Sequence, residues 1–191
     1  MFTLPYALVL GSASPRRQQL LAGLGFDFSI RVKDVDESYP ESLALEEVAE
    51  YLAIKKADAQ RKELQNELLI TADTLVALDG ELLGKPTDYA DAVTLLKKQS
   101  GKKQTVYTGV CLLTEREEVS FTVTTDVYFR QLTDSEIRYY LDNYQPYDKA
   151  GSYGVQEWMG YVGVNRIDGS YTNVMGFPTA EVYEALGAFA L

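Results

Sequence analysis

Histidine is absent from the 191 residues of this sequence. Its absence excludes Ser-His-Asp and Cys-His catalysis, together with every metal site that needs an imidazole ligand. Any acid–base chemistry must therefore use carboxylates, lysines or tyrosines. Any bound metal must have oxygen ligands, which favours magnesium or manganese over zinc.

Cysteine and long apolar runs are also scarce. Cys111 is the single cysteine, so no intramolecular disulfide can form, which is consistent with a reducing cytosol. Its apolar neighbours predict a buried core residue. No apolar run approaches the length of a membrane span, and no basic region precedes the short apolar stretch near the N-terminus. We therefore expect a cytoplasmic protein with no signal peptide and no membrane partner.

Positive charge is in short supply. Eighteen lysines and arginines stand against 28 acidic residues, which gives a net charge of −10. A surface this acidic repels polyanions, so a nucleic-acid polymer is not expected as a partner. A small phosphorylated ligand remains compatible if the few cations gather in one place. The length predicts one domain over residues 1–191, with two lobes as a possible arrangement.

Near the N-terminus, the sequence predicts a strand, a tight loop and a helix. Tyr6–Leu10 has the length and composition of a buried strand. The small residues that follow end at Ser14, a predicted N-cap, and Pro15, a predicted first helical residue. Arg16 and Arg17 lie in the first turn, where cations oppose the helix dipole unless an anion binds there. The segment is either a phosphate cradle or an ordinary turn with two solvated arginines.

Two further segments carry candidate site residues. A second strand, Phe28–Val32, runs into an acidic loop in which Asp36 or Glu37 faces a metal or a ligand, or is simply solvated. An amphipathic helix over residues 45–62 has Lys56 inside its apolar stripe. A lysine in that position either snorkels to solvent, pairs with an anion or reaches into a cleft.

Asp73 directly follows a buried strand, Leu68–Ala72, and more apolar strand residues follow it. Burying such a carboxylate is costly without a cation or hydrogen-bond donors. Asp73 is therefore predicted to have a metal, a lysine or an activated water as its partner, or to be a structural hydrogen-bonded aspartate. Lys85 follows the next hairpin on a short rigid loop, although the Walker A spacing is absent.

The remaining elements complete an α/β fold with a mixed sheet. Two long strands, Gln104–Leu113 and Glu118–Phe129, are predicted to form an antiparallel pair. The glycine-punctuated segment Tyr147–Gln156 is typical of a binding loop. A hairpin is predicted from Tyr161–Ile167 and Tyr171–Met175, before a closing helix.

Six segments of the chain together resemble one family. They are, in order, residues 12–17 (Ser-Ala-Ser-Pro-Arg-Arg), 72–74 (Ala-Asp-Thr), 84–86 (Gly-Lys-Pro), 107–110 (Tyr-Thr-Gly-Val), 148–156 (Asp-Lys-Ala-Gly-Ser-Tyr-Gly-Val-Gln) and 174–178 (Val-Met-Gly-Phe-Pro). Each is similar to a block of the Maf family of nucleoside triphosphate pyrophosphatases. The resemblance implies an elongated, two-lobed fold related to inosine triphosphatase, with the site in a central cleft and a homodimeric assembly. It also implies metal-dependent cleavage between the α- and β-phosphates, which gives a monophosphate and pyrophosphate.

The residue pattern and the resemblance together assign roles to residues. Asp73 corresponds to the family's proton acceptor and, with Glu37, is expected to hold Mg²⁺ or Mn²⁺. Catalytic roles fall to Asp73 together with two lysines, Lys56 and Lys85. The residues expected to bind the substrate are Ser12, Arg16, Arg17, Glu37, Thr74 and Gln156.

Base selectivity is expected from Arg16, Thr74 and Gln156. Threonine and glutamine at the last two positions resemble the subgroup that acts on dTTP and UTP. Members acting on 7-methyl-GTP usually carry glutamine and glutamate there, which makes such an enzyme the alternative. A nucleotide-binding regulator of septum formation is a second alternative. One departure from the family pattern, Glu157-Trp158 in place of glycine, lies next to the base-reading position.

Overall fold

A computed structural model describes residues 2–191 as an α/β fold built on one seven-stranded sheet. The strands are β1 (Ala7–Leu10), β2 (Ser29–Ile30), β3 (Glu67–Leu78), β4 (Glu81–Leu83), β5 (Lys103–Leu113), β6 (Glu118–Phe129) and β7 (Val164–Asp168). The helices are α1 (Pro15–Gly23), α2 (Leu45–Asp58), α3 (Tyr89–Gln99), α4 (Asp134–Tyr144), α5 (Trp158–Gly163), α6 (Tyr171–Val174) and α7 (Thr179–Gly187). In this part of the chain, no helix is both long and apolar enough to span a bilayer.

The sheet is mixed, as the sequence predicts. Its order is β2-β1-β3-β5-β6-β7, and β4 pairs with β3 outside this path. Strand β1 runs parallel to both β2 and β3, whereas β4 is antiparallel to β3 and β7 is antiparallel to β6. The predicted neighbours β5 and β6 are joined by a turn in which the Thr114 N–H donates to the Glu117 carbonyl over 2.9 Å.

The predicted C-terminal hairpin is wrong. Its first half is helix α5 followed by the short strand β7, and its second half is the helical turn α6. The Ser170 hydroxyl caps α6 by accepting from the Asn173 N–H over 3.2 Å. The buried Asn173 amide then donates to Thr125 Oγ1 over 2.9 Å. Local capping and a buried tertiary hydrogen bond therefore override the β-propensity of this segment.

Three other boundaries differ from expectation. Strand β3 runs without interruption through Asp73, where two separate strands are predicted. Strand β2 has only two residues, both exposed, so the apolar run around it does not form a buried strand. Helix α2 ends at Asp58, and a separate 3-10 turn, Arg61–Glu63, replaces the end of the predicted helix.

The chain divides into two compact units, and the prediction of a single domain around a central cleft stays a prediction. The first unit contains the chain up to Thr74, Thr108–Val123 and Gly176–Leu191. Its core joins leucines of β1 and β3 to apolar residues of β5 and to Phe177, Val182 and Leu186 around α7. A smaller cluster that includes Cys111 packs α2 against the sheet, so the predicted burial of this cysteine is confirmed.

The second unit contains Leu75–Tyr107 and Thr124–Met175. Its core is built from β3, β4 and α3 residues together with Ile137, Tyr140 and Leu141 of α4. Each unit therefore has its own hydrophobic core.

A glycine in β5 lets helix α2 approach the sheet closely. A Cβ atom at Gly109 would lie 2.2 Å from the backbone of Ala49 and Glu50, closer than any side chain permits. A second tie is the Thr71 hydroxyl, which donates to the Ala53 carbonyl over 2.7 Å. These two contacts fix the distance and rotation of α2 relative to β5 and β3.

Candidate functional site

Lys56 lies between two carboxylates in the first unit. Its Nζ is 2.5 Å from Asp73 Oδ1 and 2.7 Å from Glu37 Oε1. The Asp73 side chain is 13% exposed, whereas that of Glu37 is 63% exposed. Of the alternatives left open for Asp73 and Lys56, the structure therefore shows an ion pair formed by the two.

The packing of α2 on β3 explains this arrangement. Lys56 follows Ala53 by three residues, so the two share one face of the helix. Asp73 follows Thr71 by two residues, so the two share one face of the strand. Because Thr71 is hydrogen-bonded to Ala53, the next pair along the same contact is Asp73 with Lys56.

Glu37, rather than Asp36, is the loop residue that meets Asp73 through Lys56. Asp36 instead accepts hydrogen bonds from the Ser38 backbone N–H and hydroxyl, and from Lys55 over 3.3 Å. The hydrogen bonds from Ser38 are the main cause of the lowered pKa of Asp36. Asp36 therefore folds the loop, which leaves the Glu37 carboxylate directed at the site.

Arg17 braces three segments of the first unit from the start of α1. Its Nε donates to the Gly176 carbonyl over 2.9 Å, and its Nη1 donates to the Ala72 carbonyl over 2.7 Å and to Ser12 Oγ over 3.3 Å. Its Nη2 donates to Thr74 Oγ1 over 3.0 Å. The planar guanidinium thus fixes the residues on both sides of Asp73. A direct contact of Arg17 with a triphosphate stays a prediction.

Three charged groups lie near enough to Arg17 to affect its pKa. Burial lowers the pKa of Arg17, the negative charges of Asp73 and Glu37 oppose that shift, and the neighbouring Arg16 adds to it. Two arginines, one lysine and two carboxylates therefore share one region of an acidic protein. This is the local gathering of cations that the sequence requires for a phosphorylated ligand.

The predicted strand–loop–helix at the N-terminus is confirmed as a structure. Ser14 is the N-cap and Pro15 the first residue of α1. The Ser14 N–H, however, donates to Ser12 Oγ over 3.3 Å, so part of the predicted cradle already has a protein partner. Ser12 is 7% exposed. Binding of phosphate at this loop stays a prediction.

Thr108 and Gly176 are site residues that sequence reasoning did not single out. The Thr108 hydroxyl lies 3.0 Å from Thr74 Oγ1, and the Gly176 carbonyl accepts from Arg17. Both residues fall within the family-like segments 107–110 and 174–178. The sequence therefore marks both residues as part of the family pattern, but it does not indicate which side chains they contact.

Lys85 and Gln156 belong to the second unit. Lys85 is exposed and Gln156 is partly buried. The loops that carry them are joined, because the Gly151 N–H donates to the Gly84 carbonyl over 3.0 Å. The roles predicted for these two residues stay predictions.

A divalent cation fits the donor set around Lys56. Two carboxylate oxygens converge on one positive charge there and lie within about 5 Å of each other. Magnesium is commonly held by one or two carboxylates together with substrate phosphates. Over residues 2–191, no group of three or more acidic, cysteine or histidine side chains is placed to hold a metal ion by itself. A metal at Asp73 and Glu37 would therefore need oxygen ligands from water or from a substrate.

Comparisons with known proteins found one matching family model and relatives that span most of the chain. A family model described as Maf-like protein matches residues 7–189. A Bacteroides thetaiotaomicron protein named dTTP/UTP pyrophosphatase is 54% identical over 183 residues, covering 95% of each chain. A Flavobacterium psychrophilum protein of the same name is 50% identical over 177 residues, covering 92% of this chain and 91% of the relative. Among solved structures, the Staphylococcus aureus Ham1 protein is 19% identical, with a TM-score of 0.47 and coverage of 64% of this chain and 71% of that one.

Proposed function

This chain belongs to the family of Maf-like proteins, and from that membership we propose that it hydrolyses dTTP and UTP to the monophosphate and pyrophosphate. Relatives that span nearly the whole chain carry the name dTTP/UTP pyrophosphatase. The observation that carries the proposal is the largely buried Asp73 carboxylate paired with Lys56, beside Glu37 and the two arginines of α1. The names of these relatives favour neither 7-methyl-GTP as substrate nor a purely regulatory role.

In the proposed reaction, Asp73 is the proton acceptor. It takes a proton from a water whose oxygen attacks the α-phosphorus, and a new phosphorus–oxygen bond forms as the bond to the bridging oxygen breaks. Pyrophosphate leaves with the electron pair. Arg16, Lys56 and Lys85 offset the negative charge that develops on the leaving group.

Asp73 and Glu37 are the residues that would hold a divalent cation. Bound Mg²⁺ or Mn²⁺ supplies Lewis-acid stabilisation of phosphate oxygens. The Lys56 ammonium lies between these two carboxylates and holds them together. In the proposed reaction, Lys56 would stay beside the phosphates as a further cation.

Arg17 is proposed to act by positioning. Its hydrogen bonds to Ala72, Thr74 and Gly176 hold the backbone on either side of Asp73. Small displacements of a general base are costly to catalysis. Base selection is assigned to Arg16, Thr74 and Gln156, because the amide of Gln156 offers a donor and an acceptor that suit the O4/N3 edge of uracil or thymine.

The setting of the reaction is also part of the proposal. Hydrolysis of dTTP and UTP, or of modified pyrimidine triphosphates, cleans the nucleotide pool. A cytoplasmic location and a homodimer are expected for this chain, as the resemblance implies. The single buried cysteine and the acidic composition support a reducing compartment without a nucleic-acid partner.

Pyrophosphate release from dTTP, UTP, CTP and 7-methyl-GTP, each with Mg²⁺, Mn²⁺ or a chelator, tests the proposal. We expect turnover of dTTP and UTP only with metal, and loss of at least about 10³-fold in kcat for Asp73→Asn. Asp34→Asn is the matched control, because this carboxylate is exposed and lies in the same acidic loop. Near-normal turnover by Asp73→Asn would refute the role of this residue.

Metal binding needs a readout other than activity. Calorimetric titration of Mn²⁺ in the presence of a non-hydrolysable UTP analogue should show weaker binding for Glu37→Gln than for the wild type. Asp34→Asn again serves as the control. Equal affinities in Glu37→Gln and the wild type would remove Glu37 from the metal site.

A further inference from the structure

The loop that carries Gln156 is held by a buried network within the second unit. Tyr140 of α4 is fully buried, and its hydroxyl donates to Glu157 Oε2. The same hydroxyl accepts from the Gly154 N–H over 3.0 Å. The other carboxylate oxygen, Glu157 Oε1, is 3.1 Å from Lys149 Nζ. The Glu157 carboxylate, at the end of the loop, therefore binds Lys149 near the start of the loop.

The side chains of this network are well shielded from solvent. The Lys149 and Glu157 side chains are 12% and 19% exposed, and burial raises the pKa of Tyr140, so its hydroxyl stays protonated as a donor. Removing one member leaves the remaining polar groups without partners at a buried position, which is costly. The network is thus suited to holding one loop conformation.

Gly154 brings the network into contact with Gln156. A Cβ atom at Gly154 would lie 3.0 Å from Gln156 Nε2 and 2.9 Å from the Glu157 carboxyl carbon. The two neighbouring side chains therefore both pack on the backbone of Gly154. The Gln156 carbonyl is itself fixed by the Tyr161 hydroxyl over 2.7 Å. A shift of Glu157 or of Gly154 would therefore change the surface against which the Gln156 amide packs.

We propose that Glu157 is a positioning residue for base selection, which acts with Tyr140 and Lys149 to fix the Gln156 amide in the orientation that reads uracil or thymine. This inference rests on the proposed function, because it takes Gln156 as the base-reading residue. It also accounts for Glu157 at a position where the resemblance leads one to expect glycine. Glycine there would lack the carboxylate that joins Tyr140 to Lys149.

The test compares UTP with CTP, which differ on the edge that an amide reads. Two variants, Glu157→Gln and Tyr140→Phe, disturb the network with little change of shape. The ratio of kcat/KM for UTP to that for CTP is expected to fall about tenfold in both, with a smaller change in kcat for UTP. Tyr139→Phe is the matched control, because Tyr139 is the next residue of α4, is 47% exposed and contacts Trp158 through its ring. Its ratio should equal that of the wild type.

Thermal unfolding and hydrogen exchange of the Gly154 amide accompany the kinetics. Faster exchange at Gly154 together with a lower UTP/CTP ratio supports the inference. An unchanged ratio, or an equal loss for both nucleotides, overturns it and leaves Glu157 a structural residue only. If the wild type releases no pyrophosphate from UTP or dTTP, the proposed function itself fails, and the inference fails with it. A wild type that hydrolyses UTP and CTP equally well refutes base selection alone.

Discussion

Replacing Lys56 by methionine removes the cation shared by Asp73 and Glu37 while keeping an apolar stem of similar length. Breaking a buried ion pair costs 3–5 kcal/mol when the remaining charge is fully buried. The Asp73 side chain is 13% exposed and that of Lys56 is 18% exposed, so we expect a smaller loss in the free energy of unfolding, about 2 kcal/mol for Lys56→Met. Asp73→Asn should cost about 1 kcal/mol, because the amide oxygen still accepts from Lys56.

The double variant decides whether the pair is coupled. Once Asp73 is uncharged, loss of Lys56 no longer strands a buried carboxylate. The double variant should therefore be more stable than the sum of the single losses predicts, by about 1 kcal/mol. Urea unfolding of the four proteins at pH 7, with chelator and without nucleotide, measures this coupling energy.

The neighbouring lysine provides the control for this cycle. Lys55 contacts the exposed Asp36 and the Ser38 carbonyl, so Lys55→Met should cost less than about 1 kcal/mol. It should show no coupling with Asp73→Asn. Strict additivity of Lys56→Met with Asp73→Asn would mean that the 2.5 Å contact contributes nothing specific, and the view of Lys56 as the organising cation would be wrong.

Three further predictions follow from other contacts. Gly109→Ala places a Cβ atom 2.2 Å from the backbone around Ala49, so it should destabilise the protein by about 3 kcal/mol or prevent folding. A normal melting temperature for this variant would contradict the close approach of α2 to β5. Arg17→Lys keeps the charge but loses the forked geometry of the guanidinium. The kcat of this variant should fall about tenfold, equivalent to about 1.4 kcal/mol, with little change in KM. A large rise in KM would instead indicate direct substrate contact. The hydrogen bond from Arg130 is the main cause of the pKa of Glu136 being lowered from 4.5 to about 2. The stability that this carboxylate contributes is complete above pH 4.5 and is lost as the pH falls towards 2, so the melting temperatures of wild type and Glu136→Gln should converge over that range.

Local signals in the sequence predict part of this fold well. The start of α1 at Pro15 follows from Ser14 and the proline ring, because capping depends only on neighbouring residues. The cost of burying a carboxylate predicts that Asp73 needs a partner, and Lys56 is that partner. Both arguments use physical requirements that hold whatever the rest of the chain does.

Contacts between distant residues are not predictable in the same way. Arg17 donates to the carbonyl of Gly176, 159 residues further along the chain, and no local pattern indicates that acceptor. The strand assigned to Tyr171–Met175 fails for a similar reason, because the buried amide of Asn173 and the Ser170 cap favour a helical turn. Propensity is a weak guide where a buried hydrogen bond competes with it.

The two compact units alternate along the chain, and this order affects when each can be completed during synthesis. The first unit needs Phe177, Val182 and Leu186 to close the core around Leu8 and Leu10. Those partners leave the ribosome after the whole of the second unit. Residues Leu75–Tyr107 and Thr124–Met175 can therefore assemble during translation. The leucines of β1, in contrast, stay exposed until α7 has been synthesised. Deleting the last dozen residues should accordingly abolish the fold around Asp73 without touching a residue of the candidate site.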